Sequence, residues 1–137
     1  MNYVYYFAYG SNMNHAQMRG RCPDSMFVSA ACLKDHRFVY DGFSHKRQGA
    51  VANIIEDAHA QVWGGLFKIS VQDERNLDVY VGYPTFYDKK TVRVMDDKGH
   101  TFDALVYFRV HEQPGVPSDG YRRVIMEGAR DCGVLDH

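Results

Sequence analysis

The sequence predicts an α+β fold in which a mixed, largely antiparallel sheet curls into a barrel with short flanking helices. Strand-like runs dominate the chain and show no regular strand–helix alternation. Residues 96–100, Asp-Asp-Lys-Gly-His, separate two such runs in the way typical of an antiparallel hairpin. Gly64 and Gly65 interrupt another run, and barrels use glycine where strands bend or backbones come close. The 137 residues, 45% of them hydrophobic, are expected to form one domain, 1–137.

The first half of the chain is predicted to consist mainly of strands. Residues 3–8 are aromatic and favour a strand, and Asn14 followed by Gln17 predicts a short helix that continues through Arg19. Polar stretches divide the apolar runs that follow into four expected strands, at residues 26–33, 37–40, 50–55 and 61–69. The polar residues 43–49 are expected to form an exposed loop.

The second half is predicted to contain two helices around a hairpin. Ser70 with Asp73 indicates a helix start, and Gly82 indicates its end. Ser118 can cap a last helix whose apolar residues recur on one face. The hairpin between them is expected at residues 86–95 and 102–110. The chain is therefore expected to hold six or seven strands and three helices.

Composition excludes several classes of function. Sixteen Lys and Arg residues against seventeen Asp and Glu give a formal charge of −1, so nucleic acid is not an expected partner. No apolar run reaches the length of a membrane span, and the chain begins in a strand rather than a signal sequence. A cytoplasmic protein without membrane association is therefore expected. The basic residues 45–47 are interpreted as a solvated loop that could frame the mouth of a pocket.

The cysteines and histidines do not form a recognisable metal or disulfide pattern. Cys22, Cys32 and Cys132 are odd in number and far apart, so they are expected to be reduced and structural. The seven histidines lack the spacing of metal-binding pairs. No metal and no other cofactor is expected.

The stretch Tyr9-Gly10-Ser11-Asn12 predicts a sharp turn between the first strand and the first helix. Gly10 is expected to adopt a backbone conformation closed to other residues. Such a turn directs free N–H groups outward, where they and the helix dipole can hold a carboxylate or a developing oxyanion. An ordinary strand-to-helix connection remains the alternative for this motif taken alone.

Four separated motifs follow one another along the chain: Phe-Ala-Tyr-Gly-Ser-Asn-Met at 7–13, Ala-Gln-Val-Trp-Gly at 60–64, Leu-Asp-Val-Tyr-Val-Gly-Tyr-Pro at 77–84, and the helical stretch 121–129. In this order and spacing they resemble the γ-glutamylcyclotransferase-like family, over almost the whole chain. The resemblance implies a barrel whose cavity binds a γ-glutamyl group. It also implies that the amides of the Tyr9 to Asn12 turn hold a ligand oxygen and that Tyr87 and Tyr121 line the pocket.

The chemistry that the resemblance implies is an internal acyl transfer. The α-amine of the γ-glutamyl group attacks its own γ-carbonyl and releases 5-oxoproline and a free amine. The proton acceptor in such enzymes is ordinarily a glutamate just before the glycine that ends the middle helix, and that position is Val81 here. An aliphatic side chain cannot accept a proton, and the loss of a positioned base costs roughly 10² to 10⁴ in rate.

Two functions therefore remain open. In the first, the protein is an enzyme in which another carboxylate replaces the missing glutamate. Asp78, one turn before Val81 on the same helix, is the leading candidate, and Asp88 is a weaker one. In the second, the barrel keeps the pocket and binds a glutamyl-like or other small anionic metabolite without turnover. A different transfer reaction that needs no carboxylate base is a further alternative.

Overall fold

The computed structural model describes residues 2–136 and contains five strands and three α-helices. The strands are β1 (Tyr3–Ala8), β2 (Met26–Ser44), β3 (Gly49–Ser70), β4 (Asp88–Met95) and β5 (Thr101–Phe108). The α-helices are α1 (His15–Arg21), α2 (Val71–Val81) and α3 (Asp119–Asp131), with short 3₁₀ helices at Ser11–Met13 and Val134–Asp136.

The five strands close into a barrel in the order β1-β3-β2-β4-β5. All neighbouring pairs are antiparallel except β1 and β5, which pair in parallel with Tyr5 opposite Ala104. This parallel contact joins the two ends of the sheet, so the barrel has no open edge there. The predicted α+β barrel, mixed and largely antiparallel, is confirmed.

The predicted number of strands is wrong, because two pairs of expected strands are each continuous. Residues 26–33 and 37–40 both belong to β2, and residues 50–55 and 61–69 both belong to β3. The polar residues between them contain a register shift at Lys34/His36 and two positive φ angles, 61° at Asp35 and 74° at His59. Bulges of this kind bend a strand without ending it.

The predicted loop at residues 43–49 is also shorter than expected. Ser44 at the end of β2 pairs with Gly49 at the start of β3, so only residues 45–48 form the turn. The Ser44 hydroxyl accepts a hydrogen bond from the N–H of Arg47 at 3.3 Å, which fixes the turn locally. The basic residues 45–47 are therefore held at a defined place above the barrel.

The helix starts lie where the sequence predicts them. Asn14 accepts the N–H of Gln17 at 3.3 Å, although α1 continues two residues beyond the predicted Arg19. Ser70 and Asp73 form a complete capping box at the start of α2, which ends in the left-handed Gly82 (φ 78°). Ser118 caps α3. These caps orient α2 and α3 against the barrel.

The close backbone approach predicted for the glycine pair is present at Gly64. A Cβ built there would lie 2.4 Å from the carbonyl oxygen of Ala8 and 2.8 Å from the Phe7 ring. Only glycine leaves room for the close approach of the end of β1 to β3 at this point. The core inside the barrel is completed by the buried Tyr121, Ile125 and Ala129 of α3. In residues 2–136, no helix is both long and apolar enough to cross a membrane.

The segment after β5 is fastened to the barrel by a buried carboxylate. Asp41 of β2 is fully buried and accepts the N–H groups of Glu112 and Gln113, each at 3.0 Å. It also lies 2.8 Å from Nδ1 of His111 and 3.6 Å from Nε of Arg109. We call Asp41, Arg109, His111 and Glu112 the Asp41 cluster.

Candidate functional site

A cavity of about 300 Å³ opens at one end of the barrel. Its wall is built from β1 and the turn after it, the end of β2, the turn between β2 and β3, the start of β3, the end of α2, residues 86–87, β5 and α3. A cavity of this size suits a small metabolite. Among the described residues that line it, none is Asp or Glu.

The turn after β1 forms one side of the cavity, as the sequence predicts. Gly10 has φ −119° and ψ −139°, which is neither helical, extended nor left-handed backbone. Space also favours glycine here, since a Cβ at Gly10 would lie 3.1 Å from the Cβ of Ala52 and 3.9 Å from Oη of Tyr121. Among the described residues, no acceptor is found for the N–H groups of Ser11 and Asn12. These two amides are available to a ligand oxygen.

Two predicted tyrosines also line the cavity and hold the backbone N–H and C=O of Ala52 in β3. Tyr121 accepts the N–H of Ala52 at 3.0 Å, and Tyr87 donates to the Ala52 carbonyl at 2.5 Å. Burial raises the pKa of Tyr121 and of Tyr87, so both phenols stay protonated at neutral pH. Within residues 2–136 the hydroxyl hydrogen of Tyr121 finds no acceptor, which leaves it free to donate to a ligand.

Tyr6 and Tyr107, which the sequence did not single out, also line the cavity. Tyr6 accepts a hydrogen bond from the side-chain amide of Asn12 at 3.0 Å, which fixes the turn to β1. Tyr9, also in the wall, donates to the backbone carbonyl of Tyr107 at 2.7 Å. Burial raises the pKa of each of these three phenols. The cavity therefore presents neutral hydroxyls rather than phenolates.

Val81 lies in the cavity wall at the end of α2, where the resemblance places the proton acceptor. Asp78 is one turn earlier and is not in the wall. Its carboxylate contacts Nζ of Lys89 at 2.8 and 3.0 Å and accepts the hydroxyl of Tyr107 at 2.7 Å. Asp78 can therefore reach the cavity only through Tyr107, and its catalytic role remains a prediction.

Lys89 forms a salt bridge with the Asp78 carboxylate. Its Nζ also contacts Glu74 at 2.8 Å. Burial alone would lower the pKa of Lys89, but the hydrogen bonds and charges of Asp78 and Glu74 outweigh it and raise that pKa. Lys89 consequently stays protonated and neutralises part of the negative charge.

Three cations surround the Tyr80 ring at the cavity, and two of them, Lys46 and Arg47, line it. The guanidinium carbon of Arg21 and Nζ of Lys46 lie 3.5 and 3.8 Å from the centroid of the Tyr80 ring, and the guanidinium of Arg47 lies 5.7 Å away. Arg21 donates to the Tyr80 hydroxyl at 2.5 Å, and Arg47 donates to the same oxygen. We call Arg21, Lys46 and Arg47 the cation cluster.

The structure thus brings most of the predicted site residues into one cavity. Tyr9, Gly10, Ser11, Asn12, Val81, Tyr87 and Tyr121 all line it. The residues that sequence reasoning missed are Tyr6, Tyr80 and Tyr107, and the basic turn at 45–47 contributes Lys46 and Arg47. In the described residues, no group of three or more His, Cys, Asp or Glu side chains is arranged to hold a metal ion.

The fold and the site define a barrel protein with a cavity for a small molecule beside the Tyr-Gly-Ser-Asn turn. The chain belongs to the gamma-glutamyl cyclotransferase, AIG2-like family, whose sequence model matches residues 6–128. It is 29% identical to the gamma-glutamylcyclotransferase of Bos taurus and 27% identical to that of Mus musculus, in each case over 94% of this chain and 71% of the relative. A solved structure described as gamma-glutamyl cyclotransferase is similar, with a TM-score of 0.92 and 26% identity over 98% of this chain and 83% of that one.

Proposed function

We propose that the protein binds a small anionic metabolite in the barrel cavity. The observation that supports this most directly is the absence of Asp and Glu from the described cavity wall, together with two cationic side chains, Lys46 and Arg47, within it. A carboxylate or similar anion entering this space meets donors and positive charge and meets no carboxylate. The cytoplasm, expected from the sequence, is the proposed location.

The recognition of the anion is assigned to the Gly10 turn and to Tyr121. The free N–H groups of Ser11 and Asn12 supply backbone donors, and the Tyr121 hydroxyl, close to Gly10, supplies a third donor. Donors fixed by the fold lose little entropy when they bind a ligand oxygen. Tyr87 supports this arrangement by holding the Ala52 peptide in place.

Calorimetric titration with 5-oxoproline and with acetate tests this function. Gly10→Val should abolish binding, because a side chain there meets Ala52 and enters the space facing Tyr121. Gly20→Val is the matched control, since a Cβ at Gly20 meets nothing within 4 Å. Binding that survives Gly10→Val, or that Gly20→Val abolishes equally in a folded protein, would contradict the proposal.

A second candidate function is cyclotransferase turnover of a γ-glutamyl amine, favoured by the hydrogen bond from Tyr107 to Asp78. In this reaction the substrate ammonium would pass a proton to the Tyr107 oxygen while Tyr107 passes its own proton to Asp78. The freed amine would attack the γ-carbonyl, the Gly10 turn would bind the resulting oxyanion, and the C–N bond to the leaving amine would break. The proton held by Asp78 would return through Tyr107 to that leaving amine, and the second proton lost by the cyclising nitrogen would pass to solvent.

Release of 5-oxoproline from a panel of γ-glutamyl amino acids and amines tests this second function. If Asp78 is the base, Asp78→Asn should lower the rate by roughly 10²-fold while changing affinity little, and Tyr107→Phe should do the same. Glu74→Gln is the matched control, because Glu74 shares Lys89 with Asp78, whereas the Tyr107 hydroxyl donates to Asp78 and not to Glu74. A wild-type protein that binds these compounds and releases no 5-oxoproline is a binding protein only.

A further inference from the structure

The cation cluster has no negatively charged partner in the part of the chain that the structure describes. None of the salt bridges in that part of the chain includes Arg21, Lys46 or Arg47, whereas other cations, such as Arg37 and Arg93, are paired with a carboxylate. The oxygen partners of the two arginines are neutral: the Tyr80 hydroxyl, the side-chain oxygen of Asn12 for Arg21, and the Ser11 hydroxyl for Arg47 at 3.3 Å.

The three charges act on one another at close range. Burial, followed by the charge of Arg47, lowers the pKa of Arg21 to about 10. Burial, followed by the charges of Arg47 and Arg21, lowers the pKa of Lys46 as well. The folded protein therefore holds like charges together at a cost that a bound anion would remove.

The cluster is continuous with the turn already assigned to ligand recognition. Arg21 is hydrogen-bonded to Asn12 and Arg47 to Ser11, so both guanidinium groups contact the Gly10 turn as well as Tyr80. The Tyr80 hydroxyl accepts from both guanidinium groups, in the way an oxygen of an anion would. A ligand at the turn can therefore meet the cluster without crossing solvent.

We propose that the cation cluster binds a phosphoryl group, so that the ligand of this cavity is a phosphate monoester of a small metabolite. This rests on the proposed binding function and names the class of ligand. A single carboxylate would leave two of the three positive charges uncompensated, whereas a phosphoryl dianion leaves one. Lys46 and Arg47 line the cavity, Arg21 lies against the Tyr80 ring beside them, and guanidinium groups bind phosphate oxygens in pairs.

Calorimetric titration at constant ionic strength tests this assignment, with glycerol 3-phosphate, inorganic phosphate and acetate as probes. We expect the two phosphates to bind at least about tenfold more tightly than acetate. Tighter binding of glycerol 3-phosphate than of inorganic phosphate identifies a monoester. Inorganic phosphate as the tighter of the two overturns the monoester assignment, and equal binding of phosphate and acetate overturns the phosphoryl site.

Charge-removing variants locate the site. Lys46→Gln should weaken the binding of glycerol 3-phosphate by about fivefold, and Arg47→Gln should weaken it by about tenfold or more, because each removes a charged donor. Arg93→Gln is the matched control, since Arg93 is exposed and paired with Asp103 on β5. Lys46→Gln should also leave the melting temperature of the ligand-free protein unchanged or raised, which a purely structural lysine would not do. Equal weakening by Arg93→Gln would overturn the site.

The outcomes separate this inference from the binding function beneath it. If 5-oxoproline and acetate bind and Gly10→Val abolishes that binding, the cavity binds anions, and weak phosphate binding then refutes only the phosphoryl site. If no probe binds the folded wild-type protein, both proposals fail. If the phosphates bind and Lys46→Gln weakens them while Arg93→Gln does not, both are supported.

Discussion

The Asp41 cluster and the cation cluster both concentrate charge, but they differ in how that charge is compensated. In the Asp41 cluster the carboxylate is fully buried and faces Arg109 and His111, and Arg109 also contacts Glu112. In the cation cluster, Arg21, Lys46 and Arg47 surround a neutral phenol. Matched charges fasten the segment after β5, whereas unmatched charges line the mouth of a cavity.

The difference favours a structural role for the Asp41 cluster and the proposed binding role for the cation cluster. A buried charge without a partner is strongly destabilising, so a cluster that serves stability is expected to contain both signs. The cation cluster lies at the rim, where water and counterions moderate the repulsion. A protein can retain such an arrangement for binding at little cost to folding.

Breaking the matched cluster should have the largest effect. Asp41→Asn removes the only carboxylate of that cluster that is fully buried and leaves Arg109 short of negative charge. We expect the free energy of unfolding, measured by urea denaturation, to fall by about 3 kcal/mol. Asp103→Asn, at an exposed pair with Arg93, should cost less than about 1 kcal/mol. Equal losses at the two sites would remove the distinction between buried and exposed charge.

Adding a carboxylate to the unmatched region should have the next largest effect. Val81→Glu places an acid in the cavity wall, where the resemblance puts the proton acceptor. We expect 5-oxoproline release from γ-glutamyl compounds to appear or to rise by about 10²-fold, and glycerol 3-phosphate binding to weaken. Thermal melting checks that the variant folds.

Val71→Glu is the control for this change. It adds the same charge at the other end of α2, at a side chain that is 53% exposed and lies outside the cavity wall. It should affect neither turnover nor phosphate binding to the same degree, because solvent screens it. A folded Val81→Glu protein that binds substrates and turns over no faster would mean that the cavity lacks more than the base.

The fold was largely predictable because residues close in sequence determine where its helices begin. Capping residues such as Ser70 and Ser118 fix the helix starts through bonds three residues along the chain, and sequence alone contains that information. The strand count failed because polar residues were interpreted as breaks. At Asp35 and His59 the strands instead continue through local irregularities with positive φ. This depends on the pairing of β2 with β3, which local sequence does not reveal.

The site was only partly predictable. The Gly10 turn, Val81, Tyr87 and Tyr121 came from motifs, and all of them lie in the wall. Tyr107 was missed because its place in the wall depends on the closure of β5 against β1, which is a long-range pairing. The basic turn at 45–47 was noticed as a possible pocket rim, but its convergence with Arg21 on Tyr80 requires the packing of α1 and α2.

The cation cluster should also make the affinity for glycerol 3-phosphate change by about tenfold with pH. Groups that face Tyr80 are Arg21 from α1 and Lys46 and Arg47 from the β2–β3 turn. Affinity for glycerol 3-phosphate should rise as pH passes about 6, where the monoester becomes a dianion. It should fall as pH approaches 10, since the lowered pKa values of Arg21 and Lys46 bring their loss of charge within reach. Calorimetry across this range should show a maximum, and a flat alkaline limb would contradict the role of these cations.

The smallest expected effect is the response of the ligand-free protein to salt. Sodium chloride screens the repulsion within the cation cluster, so it should raise the melting temperature by about 1 to 2 °C through this region, equivalent to a few tenths of a kcal/mol. Lys46→Gln removes one of the three charges and should reduce that increment. Arg93→Gln removes an exposed attractive pair and should leave the increment unchanged or enlarge it, because salt weakens attraction as well as repulsion. The comparison of these increments by thermal melting cancels the general effect of salt on the barrel. Identical increments in all three proteins would show that solvent already screens the repulsion within the cation cluster. The two clusters would then differ in burial rather than in charge balance.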